Sequence, residues 1–270
     1  MLQTRIATAA VLVAALLAAL YLATPLHWLV LCAAATAVAG WEWGRLSGIS
    51  SLNSAFYGAA LAIFSGGVGL YHDGDGAVTV LIASIAFWVL VAPRWLSDRA
   101  AMRGMAKLLW AGSLVLPATC LALIKLHGKG PGVLLGVMAI VWISDTVAYF
   151  VGRQFGKRKL APRISPGKTW EGAWGAFAAV AIFAVLWWLL SPESLPQWLQ
   201  SSSLAPLPIV GLWVLLAAGG IAGDLLESQL KRIAGVKDSS KLLPGHGGLL
   251  DRADALTAAL PFAACLYLIR

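Results

Sequence analysis

The sequence predicts an all-α fold, a polytopic transmembrane helical bundle of about nine spans with its N-terminus in the cytoplasm. Three observations predict it. Hydrophobic residues make up 60% of the chain and charged residues only 12%, with a mean hydropathy of +0.81, whereas a soluble domain carries about 25% charged residues. The apolar residues come in long runs, and roughly 20 of them cross a hydrocarbon core. The basic residues gather in every second gap between those runs. In lipid only helices and closed barrels satisfy the backbone, and the runs lack the period-2 alternation of a barrel.

Taken in order, the runs fall at roughly 6–23, 26–44, 52–71, 77–93, 108–125, 131–151, 171–190, 207–230 and 254–269. The first starts just after Arg5 and passes into Pro25 and a second run, so it reads as a retained span rather than a cleaved signal peptide. The eighth continues into a polar helical end. The ninth is the shortest and begins in or near a polar loop. Residues 71–76, Tyr71-His72-Asp73-Gly74-Asp75-Gly76, read as a short turn, and the Ser/Pro-rich stretch 191–206 as a longer loop without basic residues. Two regions follow: residues 1–130 as helices for packing, lipid access and dimer contacts, and residues 131–270 as a region whose polar loops carry the chemistry.

Orientation comes from charge. The N-terminus and the gaps after spans 2, 4, 6 and 8 hold Arg5, Arg45, the group Arg94 to Lys107, the group Arg153 to Lys168, and the group Lys231 to Arg252; only Lys125, Lys129 and Arg270 lie on the other side. By the positive-inside rule the first side is cytoplasmic. The N-terminus is then inside and the C-terminus outside. A net charge of +8 needs no nucleic-acid partner, because basic loops beside a bilayer meet anionic head groups. Cys32, Cys120 and Cys265 stand singly in apolar segments, which fits neither a disulfide framework nor a zinc site.

Three polar constellations interrupt this pattern. Asp145 lies inside the sixth run, where an ionisable group faces a cavity, a partner or an ion; it shares a helical face with Tyr149 and Gly152 by i, i+4, i+7 spacing. Next, six basic residues between 153 and 168 lead to Ser165-Pro166-Gly167-Lys168-Thr169, read as a turn into span 7. Ser165, Lys168 and Thr169 near a helix N-terminus suit a phosphate. This is no Walker A loop, because Pro162 stands where its first glycine belongs.

The third is the densest. Asp224, Glu227, Ser228 and Lys231 make one stripe at the end of span 8 by i, i+3, i+4, i+7 spacing. Lys237-Asp238 and Pro244-Gly245-His246-Gly247-Gly248 follow, and then Asp251, Arg252 and Asp254 at the start of span 9. The glycines allow tight turns and close approach of the backbone to a ligand. Asp254 also suits a helix start through the dipole alone. Carboxylates among Lys and Arg, with no cysteine nearby, favour a hard cation with oxygen ligands such as Mg²⁺. His246 reads as a phosphate contact or a loop-ordering residue before a metal ligand.

This third stretch resembles the signature of the phosphatidate cytidylyltransferases, or CDP-diacylglycerol synthases. Their pattern is S-x-[aliphatic]-K-R, four residues, K-D-x-[small], two residues, then [aliphatic]-P-x-H-G-G-[aliphatic]-x-D-R-[aliphatic or Thr]-D. Ser228 to Asp254 follows it throughout, with Ala253 where a bulkier residue is usual. Ser144-Asp145 and Ser165 to Gly172 look like the same family. The likeness is strong over roughly residues 140–270, and the first 130 match only as hydrophobic spans.

The resemblance implies a reaction, CTP plus phosphatidate giving CDP-diacylglycerol plus pyrophosphate. It implies Mg²⁺ on Asp224 and Asp251, a neighbouring monovalent cation such as K⁺, and a homodimer. Lys231, Lys237, His246 and Arg252 would surround the phosphates, with Asp145, Lys168, Ser165, Thr169, Ser228, Arg232, Asp238, Gly247 and Gly248 on the substrates. A bacterial inner membrane, with the active site facing the cytoplasm, is the expected location. Competing readings are an ion-coupled transporter, which intramembrane Asp145 and Asp224 would also suit, another lipid head-group enzyme, and an inactive scaffold. The D-G-x-x-A-R motif of CDP-alcohol phosphotransferases is absent.

Overall fold

The computed structural model describes residues 2–71, 75–200 and 206–268, without the side chains of residues 2–7 and 9. His72, Asp73 and Gly74 of the 71–76 turn, residues 201–205 of the 191–206 loop, and Arg270 of the charge pattern lie outside the described residues. A long helix underlies each of the nine apolar runs. These are α1 (Leu2–Leu22), α2 (Pro25–Leu46), α3 (Ser51–Leu70), the pair α4 (Asp75–Ala86) and α5 (Ala92–Ser97), α7 (Met105–Gly128), α8 (Pro131–Phe155), α9 (Trp170–Leu190), α11 (Leu207–Ile233) and α12 (Leu250–Leu268). Short helices α6 (Arg99–Met102) and α10 (Gln197–Gln200) sit in the connections.

Five of these helical segments are long and apolar enough to cross a membrane: Asp75–Ser97, Met105–Gly128, Pro131–Phe155, Trp170–Leu190 and Leu207–Ile233. Large apolar side chains such as Ile63, Leu90, Ile182, Leu190 and Leu215 are exposed on the outer faces. A helix apolar on its outside as well as its inside needs a non-aqueous surround. The architecture is that of an integral membrane protein.

The helix ends follow local chemistry. Thr24 and Ser50 cap α2 and α3 by accepting the N–H of His27 and Asn53. A π-helical turn at Phe87–Val91 joins α4 to α5, where the N–H of Ala92 bonds to the carbonyl of Phe87 just before Pro93. α11 stops at Gly235 (φ 74°), with Val236 N–H closing onto the Lys231 carbonyl at 3.0 Å, the wrapping bond of a glycine-terminated helix.

Ser165-Pro166-Gly167-Lys168-Thr169, expected as a turn, is instead a strand. β1 (Lys159–Ala161) and β2 (Ser165–Thr169) form an antiparallel hairpin. Its feet are fixed by Glu171, whose carboxylate accepts the N–H groups of Lys157 and Arg158. A carboxylate placed later in sequence thus provides the hydrogen bonds that favour the extended conformation. α12 begins four residues before the expected start of span 9, so Asp251 lies in its first turn.

Packing relies on small residues, as expected where lipid gives helices no hydrophobic reason to associate. α2 crosses α3 at Gly40 and Gly58; a Cβ on Gly58 would overlap the Ala37 carbonyl and lie 2.9 Å from Trp41 N. Trp43 Nε1 and Tyr57 Oη donate to the carbonyls of Leu108 and Leu109 on α7, at 2.8 and 2.7 Å. α12 is central and packs on α11, α7, α4 and α8. Gly58→Ala is therefore expected to lower stability by about 1–3 kcal/mol through overpacking. Gly67→Ala, on the same helix with open space around it, is expected to be neutral. Thermal unfolding of the two variants in detergent checks the difference.

Candidate active site

Five helix ends meet at one pole of the bundle: the C-terminal ends of α2, α8 and α11 and the N-terminal ends of α9 and α12. The hairpin and the loop 234–249 cover them. Arg99 Nη2 donates to the Arg232 carbonyl at 2.6 Å and Gln229 Nε2 to the Trp95 carbonyl at 2.6 Å. The basic loops after α2, α5, α8 and α11 therefore share this pole.

Two linked ion clusters lie there. In the first, Lys168, at the end of the hairpin, reaches Asp224 Oδ2 of α11 at 2.6 Å. Ser228, one turn further along α11, donates to Asp224 Oδ1 at 3.2 Å. Asp145 of α8 and Asp254 of α12 are close enough for their charges to act on Asp224. In the second, the half-buried Lys231 ammonium bridges Glu227 Oε2 at 2.5 Å and Asp251 Oδ1 at 2.6 Å. Glu227 and Lys231 are one helical turn apart, and Asp251 comes from the next helix. Glu227 Oε1 is buried and accepts no hydrogen bond among the described residues.

The other oxygen of Asp251 organises the loop. Asp251 Oδ2 accepts Ser239 N–H at 2.8 Å, Ser239 Oγ at 2.9 Å and Gly248 N–H at 2.8 Å. The loop turns tightly at Gly245 (φ 75°) and Gly247 (φ 83°). His246 N–H bonds to the Leu243 carbonyl, and Arg252 Nε returns to the His246 carbonyl at 3.0 Å. His246 is thereby held beside the start of α12.

The expected site residues are thus partly gathered. Asp145, Lys168, Asp224 and Ser228 form one group, and Lys231, Gly248 and Asp251 the next, with His246, Gly247 and Arg252 alongside. Lys237 and Asp238 are exposed on the loop, and Arg232 and Arg163 line a cavity of about 410 Å³ with Arg99. Ser165 opens β2, opposite Ala161. Thr169 is buried and caps α9, accepting Gly172 N–H at 3.1 Å, so its oxygen already has a structural task here.

Three contributors were not among the expected site residues. Glu227 lay on the polar stripe, but its pairing with Lys231 across to Asp251 depends on how α12 packs. Asp254 closes the signature and suits a helix start by its dipole, and sequence alone gives it no further role. Glu42 lies outside every polar constellation of the sequence. It is fully buried in α2, and its carboxylate accepts hydrogen bonds from Ser239, Ser240, Leu249 and Leu250. An ionisable residue within an apolar run was the available signal.

The donor set suits a hard cation. Asp145, Asp224, Glu227, Asp251 and Asp254 face two ammonium groups, a formal surplus of three negative charges, and Glu227 Oε1 is unpartnered. Oxygen is the only ligand type among these side chains, which is the chemistry Mg²⁺ takes. No group of three acidic, His or Cys residues is close enough to hold a metal unaided among the described residues, so substrate oxygens would have to supply part of the shell.

The profile of the cytidylyltransferase family matches residues 3–270. The likeness therefore includes the first 130 residues, which by sequence reading alone matched only as hydrophobic spans. A phosphatidate cytidylyltransferase of Pseudomonas aeruginosa is 40% identical, covering 99% of this chain and 97% of that protein. One from Haemophilus influenzae is 35% identical over 99% of each. One from Brucella suis is 38% identical over 84% of this chain and 78% of that protein. With a match along nearly its whole length, and with the two aspartates and two lysines of the signature segments drawn together at one pole, this chain belongs to the cytidylyltransferase family.

Proposed function

We propose that the protein is a phosphatidate cytidylyltransferase that transfers the CMP moiety of CTP to phosphatidate, giving CDP-diacylglycerol and pyrophosphate. One observation carries the reading: Lys168 on Asp224 and Lys231 on Asp251 join the hairpin, the end of α11 and the start of α12 into one polar centre. A phosphate oxygen of phosphatidate attacks the α-phosphorus of CTP. The bond from that phosphorus to the bridging oxygen breaks, and pyrophosphate leaves with the electron pair. The nucleophile is already anionic, so a strong base is unnecessary. Repulsion between two polyanions is the obstacle, and positioned positive charge is the remedy.

Asp224 and Asp251 would hold Mg²⁺ in this reading. When bound, the ion would polarise the α-phosphate and offset charge on the departing pyrophosphate. The chain's own residues do the rest. Lys168 and Lys231 are held at the carboxylates in the free protein and are free to turn to phosphate oxygens when anions arrive. Arg252 and His246 border the same space, and the glycine turn at 245–248 brings main chain up to the ligand. A monovalent cation such as K⁺ would suit the remaining surplus charge near Asp145 and Asp254. Homodimerisation remains part of the proposal, on the family resemblance.

The same reading sets the topology: nine membrane spans in a bacterial inner membrane, N-terminus inside, and the polar pole facing the cytoplasm where CTP is found. The bias of basic residues to that pole supports it. Lipid tails stay in the bilayer while the head group reaches the polar centre between helix ends.

Two outcomes are expected. Purified protein with phosphatidate, labelled CTP and Mg²⁺ yields CDP-diacylglycerol. Asp251→Asn lowers turnover by about 100-fold or more, and EDTA abolishes it. Absence of product from well-folded wild-type protein across several lipids overturns the assignment. For topology, single cysteines replacing Arg103 and Glu193, in a chain whose native cysteines are alanine, are labelled by an impermeant thiol reagent from opposite sides of the inner membrane. Labelling of both from one side overturns the span count.

A further inference from the structure

We propose that Glu42 is a positioning residue for the transfer reaction, setting the loop before α12 and, through Ser239, the orientation of Asp251. The inference rests on the synthase reading above. Glu42 is fully buried in the second helix, nearly 200 residues from its partners in sequence. Its Oε1 accepts Ser240 Oγ at 2.6 Å and Leu249 N–H at 3.0 Å. Its Oε2 accepts Ser239 Oγ at 3.1 Å and Leu250 N–H at 2.8 Å. No lysine or arginine pairs with it among the described residues.

Each contact has a consequence. Leu250 opens α12 and Leu249 precedes it, and their N–H groups are among those a helix start leaves without an internal partner. Glu42 satisfies both from another helix, and its negative charge suits the positive end of the helix dipole. Asp251 stands in the first turn of that helix, so the cap fixes where its backbone lies. Ser239 Oγ sits between two carboxylates, 3.1 Å from Glu42 and 2.9 Å from Asp251; its single proton serves one of them at a time, so the position of Glu42 is felt at the Asp251 oxygen that also holds Gly248. A Cβ at Gly248 would run into Ser239 Oγ and Glu42 Oε1, so the glycine is what admits the carboxylate.

Glutamine is a sharp probe of this role. It fills the same space, yet its NH₂ must face one of the two donor pairs, and each pair contains a main-chain N–H that cannot accept. One end of the cap is broken in either orientation. Residues that hold a reacting group in place lower activity by about 10–100-fold when changed.

The test compares wild type, Glu42→Gln, Ser239→Ala, the double variant, and Thr36→Val. Thr36 is a buried α2 residue whose hydroxyl donates to the Cys32 carbonyl and meets Cys120 of α7, with no bond to the loop before α12, and its variant serves as the control. Glu42→Gln is expected to stay folded and monodisperse, to lose about 10–100-fold in kcat and to keep its KM for phosphatidate within about twofold. Amide exchange quickens at Leu249 and Leu250 and stays slow at core positions such as Leu121. The double variant is no worse than the weaker single, as for residues acting in series. Thr36→Val behaves as wild type. Glu42→Gln with wild-type turnover overturns the proposal, as do Glu42→Gln and Ser239→Ala losses that multiply in the double variant. If Glu42→Gln fails to fold, Ser240→Ala decides. It removes one donor to Glu42 and leaves Asp251 untouched, so unchanged exchange at Leu249 and unchanged kcat in that variant sink the idea. Wild-type protein that makes no product refutes the synthase reading itself.

Discussion

Two carboxylates, Glu42 and Asp251, hold the loop between α11 and α12. That segment runs through lysines, serines and a glycine-rich turn, and it forms only a few main-chain bonds of its own, such as Leu243 N–H to the Gly247 carbonyl. Asp251 takes the N–H groups of Ser239 and Gly248, and Glu42 takes those of Leu249 and Leu250. A buried carboxylate is costly to desolvate, and several main-chain donors offset that cost. The loop exchanges water for carboxylate oxygen, and its shape follows from where the two acids stand.

The same constraint organises charge. Lys231 sits between Glu227 and Asp251, so the acid holding the loop is also half of an ion pair reaching into α11. Removing one member of such a buried set leaves uncompensated charge, which costs far more than the intact set contributes. Counted by residue, five carboxylates share two lysines at this pole. An ion-coupled carrier would place its ionisable groups near the middle of the bilayer, within broken helices. Here they gather towards one pole, from Asp145 and Asp224 in the C-terminal halves of α8 and α11 to Asp251 in the first turn of α12, and the family relationship is to transferases.

The sequence made the nine helices legible because each is a run of apolar residues bounded by charge, proline or glycine, and such signals are local. The signature residues were legible because their spacing is dense and one-dimensional. The hairpin at 159–169 was not, because the bonds that favour strand over turn come from Glu171 beyond it. The roles of Asp254 and Glu42 were not legible for a related reason. Each depends on which helix end a distant segment meets, and Asp254 fits a helix start equally well by its dipole. Thr169 shows the converse: a hydroxyl before a helix reads as an anion contact or as a cap, and the hydrogen bond to Gly172 fills the second role.

Small residues link lipid-phase packing to the chemistry at the pole. α11 can lie close to α12 because Gly223 has no side chain; a Cβ there would come 2.5 Å from the Asp254 carbonyl. Asp224, the next residue, is brought beside Asp254 by that contact. Gly172 does the same for α9 against α8, where a Cβ would lie 2.7 Å from the Ala148 carbonyl, and so draws the end of the hairpin, with Lys168, towards Asp145. In lipid, close backbone approach is what makes helices associate at all. At this pole the same approach sets the spacing of the acids and lysines. A substitution that loosens a glycine contact would therefore separate charges before it unfolded the bundle.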